Sequence, residues 1–210
     1  MTEKYRTRAI LSTLLVLLPM IMGMIMWEEI PAEVAIHFDM QGNPDGFAGK
    51  GSAVFAFPLL MMAVHIFTLF MVFHDPRHED MGEKLIGLIF WIMPVVSILG
   101  SASIVSVAIG MPIDMTSFSY VALGVFYILM GRCMKESGQN FTAGIRTKWT
   151  LSSKENWKET HKFAQRLWII TGVMFILNSV MKASGIVLTG VLVSVIMPVI
   201  YSFALYKNGI

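Results

Sequence analysis

Long apolar runs without charged residues set the narrowest limit on how this chain can fold. Backbone groups in hydrocarbon must be satisfied within their own segment, so uninterrupted runs near the roughly 20 residues of a bilayer crossing predict helices and not barrel strands. Six runs occur, at about 10–27, 53–73, 85–108, 117–130, 167–183 and 186–206. The four residues 182–185, Lys-Ala-Ser-Gly, form the predicted turn between the last two runs, and Gly185 is predicted to terminate the fifth helix there.

Composition supports the same conclusion. Hydrophobic residues make up 55% of the 210 residues and charged residues only 14%, whereas a soluble domain carries about 25% charged residues. The net charge of +2 comes without a basic patch on a soluble domain, so direct binding of nucleic acid is not expected. The predicted fold class is all-α, a polytopic membrane protein with six transmembrane helices.

Basic residues are distributed unevenly among the connections between these runs. All but two of the 16 lysines and arginines lie before the first run, after the second, within 131–166 or in the tail; Lys50 and Lys182 are the exceptions. Because Lys and Arg accumulate in cytoplasmic loops, both termini and the loop 131–166 should face the cytoplasm. We expect two regions, an N-terminal membrane region, 1–110, with an outer loop at 28–52, and a second region, 111–210, with the cytoplasmic loop 131–166.

The outer loop combines a short alternating segment with a dense turn signal. Residues 32–38 alternate weakly and favour an extended segment, and the Gly-Asn-Pro-Asp-Gly run that begins at Gly42 predicts a turn. Two interpretations of the polar side chains stay open. His37, Asp39 and Asp45 could ligate a metal ion, since imidazole and carboxylates are ordinary ligands. Alternatively, the two aspartates cap turns while the histidine packs at the membrane surface.

The cytoplasmic loop is more strongly patterned than the outer one. Residues 138–140, Gly-Gln-Asn, should end the helix that leaves the fourth run, and residues 145–151 look extended. Ser152 and Glu155 have the form of a capping box, in which the serine caps a helix and the glutamate reaches back to it. A new helix is therefore expected to begin near Ser153.

That helix should run directly into the fifth apolar run. Trp157 and His161 recur at helical spacing on one of its faces. Trp149 and Trp157 suit the headgroup layer, where amphipathic rings settle. Arg146 stands between aromatic residues, and its guanidinium can fork onto a carboxylate, a carbonyl or a lipid phosphate. Its role is open between tying the loop together and contacting a partner.

Two polar residues, His65 and Asn178, fall inside the predicted spans. Intramembrane ionisable residues are candidates for function, although a neutral histidine can simply hydrogen-bond across a helix bundle. Candidate partners of His65 are Asn178 and the serines of the third run, Ser97, Ser101, Ser103 and Ser106, although the favoured role of those serines is close helix packing.

Several residues of the cytoplasmic loop resemble the signature of the SdpI family, a group of bacterial membrane proteins. The matching residues are Asn140, Gly144, Arg146, Thr147, Trp149, Thr150, Trp157 and His161. The outer segment from Pro31 through His37 and from Gly42 to Asp45 resembles a domain of unknown function that often precedes this signature. One departure is Lys148, where the family often has proline.

The resemblance implies a multi-pass protein of the bacterial plasma membrane that protects the cell against a secreted toxic peptide. It also implies a sensor that holds a cytoplasmic repressor of the ArsR type at the membrane. The eight signature residues would then serve partner binding or signalling. The outer residues His37, Asp39, Gly42 and Asp45 would face the peptide, and membrane lipid would surround the helices.

Other classes of function were weighed against this one. A transporter or lipid-handling protein is the alternative, but such proteins place polar groups near the midplane, and His65 is the one candidate. An enzyme is not expected, because neither loop offers a nucleophile with its base or three ligands at metal spacing. No cofactor is expected either.

Overall fold

The computed structural model describes residues 3–39 and 41–210, with side chains from residue 5 onward. In that part of the chain the elements are α1 (Glu3–Val16), α2 (Leu18–Ile25), β1 (Glu33–Phe38), β2 (Pro44–Gly49), α3 (Phe57–His74), α4 (Glu83–Ala108), α5 (Met115–Met134), α6 (Lys148–Ser152), α7 (Lys154–Met181) and α8 (Ser184–Lys207). A π-helical turn, Ser52–Ala56, precedes α3, and a 3-10 turn, His78–Met81, precedes α4.

Six of the described helical segments are long and apolar enough to cross a membrane. They are Tyr5–Ile25, which joins α1 and α2, Ser52–His74, and the helices α4, α5, α7 and α8. All six fall where the apolar runs predicted them, so the prediction of an α-helical polytopic membrane protein is confirmed. The helix expected to begin near Ser153 and run into the fifth span is also present, as the 28-residue helix α7.

Two local predictions are wrong. Residues 145–151 are not an extended segment, because Lys148–Ser152 forms the short helix α6. Gly185 does not terminate the fifth helix, since it is the second residue of α8. The terminator is Lys182, which adopts the left-handed conformation with φ of 53°. The side-chain amide of Asn178 bonds both backbone groups of Ala183 at 3.1 Å and so holds this turn closed.

The chain divides into two compact units. One unit comprises Met1–Phe73 and Ile89–Thr116, and the other comprises His74–Leu88 and Ser117–Ile210. They are called the first and the second unit below.

In the first unit, Pro19 breaks the first span in two. Proline lacks an N–H and its ring clashes with the preceding turn, so the helix is interrupted at Leu17. The N–H of Met20 donates to the Leu17 carbonyl at 3.0 Å. The carbonyl oxygen of Val16 accepts instead from the hydroxyl of Ser97 in α4, at 2.7 Å. Since an unsatisfied carbonyl in hydrocarbon is costly, this bond stabilises the break.

His65 is fully buried in the first unit, and Ser12 is its partner. The Oγ of Ser12 lies 3.0 Å from Nε2 of the ring and donates to the Ala9 carbonyl at 3.1 Å. The hydroxyl proton is thereby used, so the serine oxygen accepts from Nε2–H. The structure thus gives Ser12 as the partner of Nε2, and not Asn178 or a serine of the third run, which were the candidates from the sequence.

The outer segment forms an antiparallel hairpin of β1 and β2. Val34 points into a core with Ile30, Ala53, Val54 and Ile104, so one face of the hairpin is packed. The extended segment predicted at 32–38 is confirmed. The turn is displaced from its predicted position, because residues 44–46 begin β2 and the Asp39 N–H already donates to the Asn43 carbonyl across the reversal of the chain.

In the second unit, α5 and α7 touch through two glycines. A Cβ on Gly124 would lie 2.6 Å from the carbonyl oxygen of Gly172, and a Cβ on Gly172 would lie 2.6 Å from that of Gly124. Tyr127, one turn further along α5, packs against Phe175 and Trp168 of α7 with ring centroids 5.2 and 5.0 Å apart. The glycine pair thus brings these helices close enough for aromatic packing beside it.

Candidate functional site

Residues 135–153, here called the polar loop, fold onto two stacked rings of α7. Trp157 and His161 are one turn apart and buried, with ring centroids 4.0 Å apart. The indole N–H of Trp157 donates to the Ser137 carbonyl at 2.7 Å. The backbone N–H of Ile145 donates to Nε2 of His161 at 3.1 Å, and Nδ1 lies 2.8 Å from the Trp157 carbonyl. With Nε2 accepting, the ring is neutral and carries its proton on Nδ1.

Gly144 closes over these two rings. Its φ is +116°, and a Cβ there would lie 2.5 Å from Nε2 of His161 and 3.2 Å from Cη2 of Trp157. Only glycine combines this backbone conformation with such a close approach. Three of the signature residues, Gly144, Trp157 and His161, therefore pack directly against one another.

Thr147 and Thr150 form a reciprocal cap at the start of α6. The Thr150 N–H donates to Oγ1 of Thr147 at 3.2 Å, and the Thr147 N–H donates to Oγ1 of Thr150 at 2.8 Å. The Thr150 hydroxyl is also 2.8 Å from the Ile145 carbonyl, and Gln139 donates to the Thr150 carbonyl at 2.8 Å. A threonine thus takes the place that glutamate or glutamine occupies in the usual capping box.

The capping box predicted at Ser152 and Glu155 is wrong. Ser152 is the last residue of α6, and its hydroxyl donates to the Trp149 carbonyl at 3.1 Å. The N-cap of α7 is Ser153, whose Oγ accepts from the N–H of Asn156 at 3.1 Å. The cap therefore lies one residue later than predicted.

Asn140 shapes the first half of the polar loop. It is fully buried, and its Oδ1 accepts from the N–H groups of Thr142 at 3.0 Å and Ala143 at 2.7 Å. Its Nδ2 donates to the Gly138 carbonyl at 3.0 Å. Every polar atom of this side chain is thus used to fold the loop on itself.

Asp75 is a residue of the site that the sequence analysis missed. Its carboxylate is buried, and Oδ2 accepts from the Phe141 N–H and from the Thr142 hydroxyl, each at 2.7 Å. Its Oδ1 accepts from the N–H of Arg77 at 2.8 Å. An aspartate followed by proline directly after an apolar run was the available signal, because Asp-Pro favours the start of a turn.

Arg146 and Trp149 are the signature residues with the most accessible chemistry. The Arg146 side chain is exposed, and its guanidinium donates to the Phe141 carbonyl. Trp149 is half-buried, with its indole N–H 2.6 Å from Oγ of Ser202 and its ring 5.2 Å from that of Phe203. The buried residues Asp75, Asn140, Thr150, Trp157 and His161, here called the frame of the polar loop, fix its shape, and the Arg146 side chain is exposed on it.

The outer candidates form a hairpin turn. Oδ1 of Asp39 accepts from the N–H groups of Gln41 at 2.9 Å and Asn43 at 2.8 Å, and Gly42 adopts φ of +87°. Hydrogen bonds from the Asn43 side chain and backbone lower the pKa of Asp39 below its usual value. Asp39 caps the turn, in agreement with the second interpretation of the outer loop.

His37 and Asp45 face each other across the hairpin. Nδ1 of His37 lies 2.5 Å from Oδ1 of Asp45, and both side chains are exposed, 73% and 47%. Within residues 3–39 and 41–210, no three His, Cys, Asp or Glu side chains are grouped to hold a metal ion. His37 is thus an exposed partner of Asp45, and its packing at the membrane surface stays a prediction.

These features define a class of protein, a multi-pass α-helical membrane protein whose fifth spanning helix carries a folded polar loop. Residues 137–202 match the SdpI/YfhL protein family, and residues 14–62 match a domain of unknown function (DUF1648). The resemblance to the SdpI family is thereby confirmed, with all eight signature residues inside the matched segment.

One characterised relative aligns with nearly the whole chain. The chain is 24% identical to the immunity protein SdpI of Bacillus subtilis (strain 168) over 198 residues, which cover 94% of this chain and 93% of that protein. No solved structure matches the chain.

Proposed function

We propose that this protein is an immunity protein of the bacterial plasma membrane, which protects the cell against a secreted membrane-active peptide. The observation that carries the proposal is the similarity to the immunity protein SdpI, which extends over 94% of the chain. The similarity therefore includes both the outer hairpin and the polar loop. A relative that shared only one of them would support a role for that part alone.

The polar loop supports a second part of the proposal, contact with a cytoplasmic repressor of the ArsR type. Asn140, Thr150, Trp157 and His161 are buried, so they shape the loop and do not meet a partner. Further exposed cations lie within the polar loop or close to it in the chain, namely Arg132, Lys135, Lys148, Lys154 and Lys158. Such a surface suits an acidic partner.

Sensing adds one physical requirement. A peptide bound outside can change partner binding inside only if it prefers one of two arrangements of the helices. A buried frame with discrete hydrogen bonds, such as Asp75 to Phe141, is an element that can have two such arrangements. We propose that this frame is the element that responds.

A growth assay tests the proposed function. The chain is expressed in Bacillus subtilis that lacks its own SdpI, and the cells are grown beside toxin-secreting siblings. We expect survival well above that of an empty-vector strain. Killing equal to the empty vector, with the protein present in the membrane fraction, would overturn the proposal. A reporter for an ArsR-type repressor in the same cells separates signalling from protection.

Transport or lipid handling is the second candidate, and one observation favours it. His65 is fully buried in a membrane-spanning helix, and Nδ1 of its ring has no hydrogen-bonding partner among the described residues. Such a group can take part in moving a polar solute. Proteoliposomes with headgroup-labelled lipid test this candidate: scrambling that His65→Asn abolishes would support it, and no scrambling by the wild type would exclude it.

A further inference from the structure

Two half-exposed rings lie within the last two turns of α8, and a third ring, from α6, packs against them. The ring centroid of Trp149 lies 5.2 Å from that of Phe203 and 6.0 Å from that of Tyr206, and the centroids of Phe203 and Tyr206 are 6.4 Å apart. These three side chains are called the ring cluster below. Phe203 is 43% and Tyr206 53% exposed, so the cluster lies on the surface of the second unit and not in its core.

The polar edge of Trp149 is turned toward the protein. Its indole N–H donates to Oγ of Ser202 at 2.6 Å, and this serine is fully buried. The Ser202 carbonyl in turn accepts from the side-chain amide of Asn156 at 3.0 Å. A tryptophan that only anchors a chain at the membrane surface keeps its polar edge in the wet headgroup layer. Trp149 instead has only its apolar ring left for contact with lipid.

A lysine lies over the ring cluster. Nζ of Lys207 is 5.6 Å from the ring centroid of Phe203, within the range of a cation–π contact. The Lys207 side chain is exposed, and no ion pair among the described residues includes it. The last residue, Ile210, is tied through its carbonyl oxygen to the side-chain amide of Asn156 at 3.0 Å. Because a ring face attracts an ammonium group without cancelling its charge, Lys207 keeps a full positive charge that an anion can meet.

The helices that form this surface carry more positive than negative charge. Neither α6 nor α8 contains an aspartate or a glutamate. The helix α7 packs against both and has two acids in its first two turns, each paired with a lysine of the same helix. Glu155 lies 3.5 Å from Lys158, and Glu159 lies 3.3 Å from Lys162. The surface around the ring cluster therefore favours an anionic ligand.

The ring cluster and Lys207 also lie at the end of a membrane-spanning segment. The candidate span Ser184–Lys207 ends at this lysine, and aromatic rings settle where acyl chains give way to headgroups. A phospholipid complements both parts of the surface, with an apolar chain for the rings and a phosphate for the ammonium group. A free phosphate or an acidic protein segment lacks the apolar part, so the exposed rings favour a lipid.

We propose that the ring cluster and Lys207 bind one anionic phospholipid of the phosphatidylglycerol class. Lys207 donates to the headgroup phosphate, and the three rings contact the glycerol and the first part of an acyl chain. Because Trp149 belongs to the polar loop, the bound lipid also holds this loop against the membrane surface. The inference goes beyond the proposed function and does not depend on it, since it concerns lipid and not the secreted peptide.

Lipid retention measured by native mass spectrometry tests the proposal. The full chain is released from nanodiscs that hold equal amounts of phosphatidylglycerol and phosphatidylcholine with matched acyl chains, and the two singly bound forms are compared. We expect the wild type to retain phosphatidylglycerol about fivefold more often, the effect of roughly 1 kcal/mol from one lysine at a membrane surface. Lys207→Gln should remove this preference, and Lys207→Arg should keep it. Lys158→Gln is the matched control, because it removes the same charge from another exposed lysine, and it should also keep the preference.

A second variant separates the rings from the charge. Tyr206→Ala removes a half-exposed ring, so it should weaken retention of both lipids alike, leave their ratio unchanged and keep the thermal midpoint of the wild type. Raised salt should lower the preference of the wild type and have no effect on Lys207→Gln. An excess of inorganic phosphate should not displace the lipid, because free phosphate makes no contact with the rings.

Three results would overturn the lipid site. Equal retention of the two lipids by the wild type, or a preference that survives Lys207→Gln, would show that this lysine does not recognise the headgroup. An equal loss of preference in Lys158→Gln would show that the attraction comes from the whole surface and not from one site. Displacement by inorganic phosphate would make the ligand a free anion. The growth assay is read separately, so a failure of the lipid site leaves the proposed function standing.

Discussion

Oδ2 of Asp75 accepts a hydrogen bond at 2.7 Å from the backbone N–H of Phe141, which lies 66 residues further along the chain. The same oxygen accepts from the Thr142 hydroxyl. The short connection after α3 therefore holds the polar loop in place. One carboxylate thus joins the connection after α3 to two neighbouring residues of the polar loop, Phe141 and Thr142.

Asp75→Ala is expected to destabilise the protein by roughly 3 kcal/mol, since it removes a buried acceptor that the Phe141 N–H and the Thr142 hydroxyl both use. The thermal midpoint in detergent measures the loss, and trypsin should cut the polar loop faster at Lys148 and Lys154. Asp75→Asn keeps one acceptor oxygen and should fall between wild type and alanine. Equal midpoints for all three proteins would contradict this account.

Arg146→Ala is expected to abolish protection while the protein stays folded in the membrane, because the side chain is exposed and its contact is with the Phe141 carbonyl. Arg146→Lys keeps the charge but loses the planar fork, so partial protection is expected. The growth assay gives the readout, with membrane quantity as the control. Full protection by the alanine variant would remove Arg146 from the proposed function.

Gly172→Ala is expected to destabilise the packing of α5 on α7 by about 1–3 kcal/mol, the usual cost of overpacking. The new methyl group would lie 2.6 Å from the Gly124 carbonyl oxygen. Gly185→Ala is the matched control, since nothing lies within 4 Å of a Cβ there, and it should be neutral or slightly stabilising. Thermal midpoints of the two variants that coincide would show that the glycine contact is not tight.

Ser153→Ala is expected to cost about 1 kcal/mol, because it removes the N-cap of α7. Ser152→Ala should change stability by less than about 0.5 kcal/mol, since this exposed residue ends α6. Thermal unfolding of the pair in one detergent compares them directly. A larger loss for Ser152→Ala would restore the cap position predicted from the sequence.

The turn of the outer hairpin is expected to loosen in acid. Hydrogen bonds from Asn43 to the carboxylate lower the pKa of Asp39 in the folded protein. A group with a lowered pKa contributes stability that is fully present above its unfolded value of about 4 and is lost as the pH falls through the folded value. The protection factor of the Asn43 amide, in which the intrinsic pH dependence of exchange is divided out, should therefore be higher at neutral pH and fall below about pH 4. Asp39→Asn should show no such pH dependence, and a flat wild-type profile would contradict the prediction.

The spanning helices could be predicted from the sequence because bilayer thickness imposes a length that apolar runs reveal directly. The continuity of α7 was predictable for a similar reason, since the spacing of Trp157 and His161 is a local helical pattern. Asp39 as a turn cap follows from local chemistry as well. Each of these depends on residues that are near one another in the chain.

The frame of the polar loop was not predictable, because its contacts join distant residues. Asp75 meets Phe141 only after the chain has folded, and no local pattern links them. The sequence also could not decide whether Ser152 or Ser153 caps α7. Ser152 with Glu155 had the usual form for a cap of α7, yet Ser153 is the cap, because Ser152 is still the last residue of the short helix α6. The partner of His65 was missed for the same reason as the frame.

The bond between Ser97 and the Val16 carbonyl has a consequence for how the protein can change over generations. Pro19 deprives this buried carbonyl of its helical partner, and among the described residues the Ser97 hydroxyl donates to it, so the two positions form a dependent pair. A descendant that replaces Pro19 can afterwards lose the serine freely. A descendant that loses the serine first leaves the buried Val16 carbonyl without this hydrogen bond, so the order of the two changes decides which lineages persist.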